Sequence, residues 1–333
     1  MKKIINNKDF IVDEAIEGFV AMNANHYERT GDVNGVVYKN KRQGKVSLIV
    51  GGGSGHEPMF PGFVGKGLAD AAACGNIFAS PDPGTICGVA ECVDSSEGIL
   101  FLYGNYAGDN MNFDMAEEFL NDDGIKTAHV RVTDDCASAP RERLSDRRGI
   151  AGDVYLVKIA GAACDEGHPL EEVVRLTEKA NANTGTIGIA VSPGQHLGLD
   201  EPTFTLGDDE MEYGMGIHGE PGIKRTKFGT ADEITETMFN ALVEDMDLKE
   251  GDEICVLVNG LGATTGLELN IACRKLMGMI ADKGFKVFDS DVNNFCTSLG
   301  MGGFSITILK LDEELKRLYS RPCFSPYYAK EAR

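Results

Sequence analysis

Apolar and polar positions follow two alternating periods along this chain. Short apolar runs of strand length are separated by longer segments whose apolar residues recur at i, i+3 and i+4. In the first half, this pattern predicts strands at 45–50, 98–103, 126–132 and 186–192, and helices at 112–121, 152–166 and 170–183. Because strands that alternate with helices need crossover connections, the pattern predicts a largely parallel sheet.

The composition and the hydrophobic pattern of the chain change between residues 192 and 230. That stretch is rich in glycine, proline and acidic residues, has no sustained period, and predicts a connecting region that carries a site. A second pattern then predicts helices at 231–244 and 265–283, and strands at 253–258, 285–289 and 304–310. We therefore predict an α/β protein with two domains, 1–185 and 186–333. The first would have a mostly parallel sheet with crossover helices, and the second would be a smaller α/β layer domain.

The overall charge narrows the range of partners. The 333 residues include 52 acidic and 32 basic side chains, for a net charge of −20. Nucleic acids and anionic membrane surfaces are bound through lysine and arginine, so this charge argues against both. The chain has no apolar run of membrane-spanning length and no apolar core of a signal peptide near its start, so we expect a cytoplasmic protein. Nine cysteines without a Cys-x-x-Cys pair argue against structural zinc and a disulfide framework.

A glycine cluster follows the first buried strand directly, in the sequence GGGSGHEP at 51–58. Ligands of open α/β sheets bind at the carboxyl ends of strands, and glycines let the backbone approach a ligand closely. The alternative is a tight turn with a purely structural role. The cluster lacks the Gly-Lys-Ser/Thr ending of a phosphate loop, and His56 stands where a dinucleotide fingerprint needs its third glycine. The chain therefore shows no nucleotide-binding motif of its own.

Two further residues are candidates for chemistry. Asp109 follows the second strand, in GNYAGD at 104–109, where it could cap the next helix or act as a general base. His218 lies between glycines in GIHGEPG at 216–222, so its ring is sterically open to a ligand, although most single loop histidines are simply solvated. No clustered pattern around the histidines supports a metal site.

Six segments of the chain match the motifs of one known family in the same order: GGGSGHEP at 51–58, NYAGD at 105–109, MNF at 111–113, GIHGEPG at 216–222, NGLGAT at 259–264 and TSLGMGGFSITILK at 297–310. They cover nearly the whole sequence. By these segments the chain resembles the substrate-binding K component of dihydroxyacetone kinase.

This resemblance implies two α/β domains that bind short-chain hydroxyketones. It implies that His218 attacks the substrate carbonyl to form a covalent hemiaminal, that His56 hydrogen-bonds the substrate and assists proton transfer, and that Asp109 accepts the proton of the hydroxyl to be phosphorylated. The backbone of Gly53, Ser54 and Gly55 would line the pocket. A reversible bond to a carbonyl would select ketones over glycerol, which has no carbonyl, and would hold the substrate for in-line transfer.

The resemblance also implies partners. Single-chain kinases of the family carry a nucleotide-binding domain after this region, so we expect a separate subunit with no cofactor of its own. ATP, or ADP recharged by a phosphotransferase system, would be held with Mg on a second subunit, and the chain would form a homodimer. The alternative is a sensor that binds the hydroxyketone and assists a transcription regulator without catalysis.

Three positions depart from the family's usual pattern. Gly104 stands in place of a lysine, Ala107 in place of a threonine, and Gly300 in place of an aspartate. Loss of the lysine removes a cation and opens volume beside the substrate. We therefore expect a changed preference, with a four-carbon ketose such as erythrulose as the candidate.

Overall fold

The computed structural model describes residues 3–195, 197 and 202–333. Eight α-helices lie in this part of the chain: α1 (Ile11–Met22), α2 (Pro83–Ala90), α3 (Ala107–Asp122), α4 (Asp153–Asp165), α5 (Leu170–Ala182), α6 (Ala231–Asp245), α7 (Gly266–Asp282) and α8 (Glu313–Tyr319). Its strands are β1 (Tyr27–Arg29), β2 (Gly35–Tyr38), β3 (Ser47–Ser54), β4 (Ala71–Ile77), β5 (Ile99–Gly104), β6 (Thr127–Val132), β7 (Thr184–Ser192), β8 (Glu210–Tyr213), β9 (Lys224–Lys227), β10 (Glu253–Gly260), β11 (Lys286–Asn293), β12 (Gly302–Leu311), β13 (Cys323–Phe324) and β14 (Ala329–Lys330).

Two compact units divide the chain. The first comprises Met1–Val132, Val154–Lys179 and Leu315–Arg333, and the second comprises Thr133–Asp153 and Ala180–Glu314. The chain thus crosses between the units more often than a single boundary near residue 185 provides for. Helices α4 and α5 belong largely to the first unit, although they follow a segment of the second unit. The local spacing of apolar residues does not indicate to which unit a helix belongs, so the sequence pattern could not predict this return of the chain.

The sheet of the first unit has the strand order β1-β2-β4-β3-β5-β6. Strands β4, β3, β5 and β6 are paired in parallel, while β1 and β2 join the edge in antiparallel fashion. The mixed α/β class, with a mostly parallel first sheet, is confirmed. Helices α2 and α3 cover the core, where Phe113 stacks on Tyr103 with ring centroids 4.2 Å apart.

The glycines of the first cluster lie inside a strand rather than in a loop after it. Strand β3 ends at Ser54, four residues beyond the end of the strand that the apolar run predicts. A side chain has no room there, since a Cβ at Gly51 would lie 2.8 Å from the Ala73 carbonyl oxygen, and one at Gly52 would lie 2.5 Å from the Phe60 ring. Close packing therefore requires at least these two glycines.

The sheet of the second unit has the order β11-β10-β12-β7-β8-β9. Only β10 and β11 are parallel neighbours, and the remaining pairs are antiparallel. Helices α6 and α7 begin at capping boxes, Thr230 with Glu233 and Thr265 with Glu268, which explains where both start. Their apolar faces pack on the sheet and form the core of this unit.

Strands β8 and β9 correct the prediction of a connecting region between 192 and 230. Both are four residues long. Strand β9 has the polar sequence KRTK, and β8 has the sequence EMEY, whose alternation of polar and apolar residues is too short to mark a strand. They form a hairpin at the edge of the sheet, and its loop carries His218. Across the described residues, no helix is both long and apolar enough to cross a membrane.

Candidate functional site

His56 lies at the end of β3 in the first unit. Strands β3 and β5 are parallel neighbours, with Gly51 opposite Tyr103, so the segments that follow them leave the same edge of the sheet. The His56 side chain is only 3% exposed, and its ring lies 5.1 Å from that of Phe78. The turn before it is held by Glu57, whose carboxylate accepts hydrogen bonds from the Gly55 N–H at 3.0 and 3.1 Å.

Asp109 is the third residue of α3 and is buried at 7% exposure. The suggestion that it caps the helix is wrong, since the capping position belongs to Tyr106, which makes no capping bond with its side chain. A carboxylate in the first turn lies near the positive end of the helix dipole. The structure thus places the Asp109 carboxyl in a largely buried position at the start of α3.

The segment 78–81 lies against both the end of β3 and the start of α3. A Cβ at Gly53 would meet the Ala79 nitrogen at 2.7 Å, so the end of β3 packs directly against this segment. At the other side, the Asn112 amide donates to the Pro81 carbonyl at 2.9 Å and ties down the start of α3. The carboxyl ends of β3 and β5, with the residues His56 and Asp109 that follow them, therefore share one edge of the first sheet.

The side chain of Ser54 makes a hydrogen bond within the first sheet. Its hydroxyl is buried and donates to the Gly75 carbonyl at 2.7 Å, which joins β3 to β4 at their ends. Its contribution to a pocket, as with Gly53 and Gly55, would come from the backbone.

His218 lies in the second unit, in the loop between β8 and β9. Gly214 has a φ of +80°, which glycine adopts without strain, and it turns the chain out of β8. The Ile223 N–H donates to the Tyr213 carbonyl at 2.8 Å and closes the loop at its base. A second bond, from the Gly222 N–H to the buried Glu212 carboxylate at 3.1 Å, reinforces that closure. The loop is therefore a short, internally bonded platform for one imidazole.

Glu220 holds that imidazole in place. One carboxylate oxygen lies 2.9 Å from His218 Nδ1, and the other accepts the His218 backbone N–H at 2.9 Å. Burial alone would raise the pKa of the Glu220 carboxyl, but the hydrogen bond and charge of His218 lower it to about 2. An ionised carboxylate only accepts, so Nδ1 carries the proton, and in the neutral ring the lone pair is on Nε2.

Sequence reasoning missed Glu220. The signal was present, since a carboxylate two residues after a glycine-flanked histidine stands in GIHGEPG. The contact between Glu220 and His218 depends, however, on the turn at Gly219. The φ of +88° at this residue folds the chain back and brings Glu220 against the ring.

The three positions that depart from the family pattern lie in different settings. Gly104 is the buried last residue of β5, opposite Val132, and Ala107 is the exposed first residue of α3. Both therefore flank the segment that leads to Asp109. Gly300 lies in the second unit with a φ of +80°.

A separate grouping on the first unit has the composition of a metal site. Asp114, Glu117 and His129 offer ligand atoms within 4.8 Å of one another. The Arg131 guanidinium already bonds Asp114 at 2.6 Å, and the Thr127 hydroxyl bonds Glu117 at 3.2 Å. Both carboxylates thus already accept hydrogen bonds from donors of the protein, and we assign no metal centre to them.

Comparison with known proteins identifies the family. The Dak1 domain matches residues 17–327, and the chain belongs to this family. The dihydroxyacetone-binding subunit DhaK of the PTS-dependent dihydroxyacetone kinase 2 of Listeria innocua is 43% identical over 98% of this chain and 99% of its own length. The D-erythrulose kinase of Mycolicibacterium smegmatis is 40% identical over the whole of this chain and 57% of its own. The resemblance noted in the sequence is therefore confirmed.

Two solved structures share the fold. The dihydroxyacetone kinase of C. freundii has a TM-score of 0.89 at 29% identity, over 99% of this chain and 60% of that one. The dihydroxyacetone kinase operon co-activator DhaQ has the same TM-score at 28% identity, over 96% of this chain and 98% of that one. The same fold thus occurs in a kinase and in a co-activator.

Proposed function

We propose that this chain is the ketose-binding subunit of a dihydroxyacetone-type kinase, and that it acts in the cytoplasm. It would hold a three- or four-carbon hydroxyketone as a covalent hemiaminal on His218 while phosphate is transferred to a substrate hydroxyl. The observation that carries this proposal is the bond between His218 and Glu220, which leaves the Nε2 lone pair as the nucleophile of the ring.

The covalent step follows from that tautomer. Nε2 donates its lone pair to the carbonyl carbon, the C=O π electrons move to the oxygen, and that oxygen takes a proton from water, which leaves hydroxide in the solvent. The ring then carries a positive charge, which the ionised Glu220 carboxylate stabilises through the Nδ1–H bond. Only carbonyl compounds can react in this way, so the step rejects glycerol and other polyols.

The family resemblance assigns further proposed roles to two residues of the first unit. Asp109, buried at the start of α3, would accept the proton of the hydroxyl as it attacks phosphorus. His56, buried beside Phe78, would hydrogen-bond the substrate and assist proton transfer. Gly53, Ser54 and Gly55 would offer backbone groups to the substrate.

The phosphoryl donor is proposed to lie on a partner. The sequence has no nucleotide-binding motif, and the Listeria relative's name describes a PTS-dependent kinase whose dihydroxyacetone-binding subunit is a separate chain. We propose a nucleotide-binding subunit that carries ATP, or ADP recharged by a phosphotransferase system, with Mg. A homodimer of this chain is proposed as the working unit.

A second candidate is a non-catalytic hydroxyketone sensor that assists a transcription regulator. The observation that favours it is the fold shared with the co-activator DhaQ. The presence of Asp109 favours the kinase, because a sensor can keep the covalent bond to the ketone but does not need a base for phosphoryl transfer.

One experiment separates the two. Dihydroxyacetone labelled with ¹³C at the carbonyl is added to the protein, and NMR follows conversion of the carbonyl signal to that of a tetrahedral carbon. Phosphorylated product is then measured with each candidate nucleotide-binding subunit. We expect both the adduct and the product. An adduct without product from any partner would support the sensor, and the absence of an adduct would contradict the covalent hemiaminal on which the proposed kinase mechanism rests.

A further inference from the structure

Arg148 and Asp135 form a buried ion pair in the second unit. The Arg148 guanidinium contacts one Asp135 oxygen through Nε at 2.9 Å and through a terminal nitrogen at 2.8 Å. The Asp135 side chain is fully buried, and the arginine side chain is 17% exposed. The Asp135 N–H also donates to the Arg148 carbonyl at 3.0 Å, so backbone and side chains fix the same pair.

The terminal nitrogen that contacts Asp135 also reaches the loop that carries His218. It donates to the Gly214 carbonyl at 3.3 Å, at the residue whose positive φ turns the chain out of β8. A Cβ at Gly216 would lie 2.7 Å from an Arg148 nitrogen and 2.2 Å from a Glu220 oxygen. The arginine and the carboxylate that orients His218 therefore pack against the same glycine.

We propose that Arg148, anchored by Asp135, is a positioning residue that fixes the orientation of the loop bearing His218 and Glu220. This role rests on the proposed function, because it matters only if His218 must meet a carbonyl in one orientation. Arginine suits the task, since Nε and one terminal nitrogen of its planar fork hold the same Asp135 oxygen, and that terminal nitrogen also donates to the Gly214 carbonyl. Lysine has no second nitrogen to fix the direction of the first, so it cannot reproduce this geometry.

Removal of the arginine should leave the fold intact. Burial raises the pKa of Asp135 to about 7, although Arg148 acts to lower it. Without the arginine, this carboxyl can take a proton at neutral pH, so no uncompensated buried charge remains. The backbone bond between the two residues survives the substitution.

The neighbouring arginine provides a matched control. Arg147 is fully buried, pairs with Asp245 at 2.9 and 2.5 Å, and donates to the Ala139 carbonyl at 2.8 Å. It therefore belongs to the same segment and also holds a carboxylate, but its bonds brace the segment 139–147 against α6 rather than the loop of His218. A purely structural role for both arginines predicts equal effects on the adduct.

The test compares Arg148→Met, Arg148→Lys and Arg147→Met with the wild-type protein. The fraction of ¹³C adduct is measured at several dihydroxyacetone concentrations, and the ¹⁵N resonances of His218 report its tautomer in the free protein. We expect Arg148→Met to lower the adduct equilibrium constant about 10- to 100-fold. The Nδ1–H tautomer should also lose population. Arg148→Lys should fall between, and Arg147→Met should lower thermal stability while the adduct is retained.

The outcomes distinguish this role from the function on which it rests. A wild-type protein without an adduct overturns the proposed function and this role together. A wild-type adduct that is unchanged in Arg148→Met and Arg148→Lys overturns the positioning role alone, as does an equal loss in Arg147→Met. Should Arg148→Met fail to fold, Arg148→Lys and Asp135→Asn carry the same comparison, because Asn keeps the side-chain oxygen that accepts the Ala137 N–H.

Discussion

The Glu220 carboxylate accepts two hydrogen bonds from His218, one from ring atom Nδ1 and one from the backbone N–H, both at 2.9 Å. One side chain thus fixes the position, the rotation and the tautomer of the imidazole. The nucleophile of the proposed reaction is defined by this pair rather than by His218 alone.

Replacement of Glu220 by glutamine tests the pair. Glutamine keeps the size but has no charge to stabilise the ring cation of the hemiaminal, so we expect the adduct equilibrium constant to fall about 10- to 100-fold. The measurement is the ¹³C adduct at several substrate concentrations. Glu212→Gln is the control, because Glu212 bonds the same loop at Gly222 without touching the imidazole. A larger loss in the control would show that loop closure, not Glu220, governs the reaction.

The lowered pKa of Glu220 predicts a pH window for stability. A glutamate in the unfolded chain titrates near pH 4.3, whereas the hydrogen bond from His218 lowers the pKa of this carboxyl to about 2 against the opposing effect of burial. Its contribution to the free energy of unfolding is therefore complete above about pH 4.3 and is lost as the pH falls toward 2. Urea unfolding of wild type and Glu220→Gln between pH 7 and 3 checks this. The difference between them should shrink below about pH 4.3, and a constant difference would refute the ionised carboxylate.

Asp109→Asn should separate binding from transfer. The variant keeps the shape of the helix start but cannot accept a proton, so phosphorylation by the kinase with its partner should fall about 10²- to 10⁴-fold while the adduct remains. Asp114→Asn is the matched control, since Asp114 is an exposed carboxylate of the same helix, bonded to Arg131. Full activity in Asp109→Asn would remove Asp109 from the mechanism.

Substrate preference is predicted to depend on the start of α3. Ala107→Thr restores the usual family residue at its first position, and we expect the ratio of kcat/KM for erythrulose to that for dihydroxyacetone to fall about threefold or more. Ala231→Thr, at the first position of α6, is the control for the helix-start substitution itself. A wild-type protein that clearly prefers dihydroxyacetone over erythrulose would sink the idea of a four-carbon ketose.

The sequence predicts elements well where one face is strongly apolar. Helix α5 was predicted at 170–183 and lies at Leu170–Ala182, because its apolar residues recur at a helical spacing. Strand β9 was missed because its sequence is polar and its pairing depends on β8. Pairing of this kind is a property of the folded sheet, not of the strand's own composition.

Only some of the site residues can be predicted from the sequence, for a related reason. His56, Asp109 and His218 stand in glycine-rich motifs that are visible in the sequence. Arg148, however, lies 66 residues from Gly214, and no local pattern reports a side-chain bond over that separation. Glu220 was visible in sequence, yet its bond to His218 needs the backbone turn between them.

The hemiaminal is tested most directly by the bond between substrate carbon and histidine nitrogen. Protein labelled with ¹⁵N in its histidine rings is mixed with dihydroxyacetone labelled with ¹³C at the carbonyl, and NMR is used to detect one-bond coupling between the two nuclei. The account predicts a tetrahedral carbon coupled to one ring nitrogen in the wild-type protein, and loss of that signal in His218→Ala but not in His26→Ala. A coupled signal that persists in His218→Ala, or a bound ketone whose carbonyl stays trigonal, would contradict it.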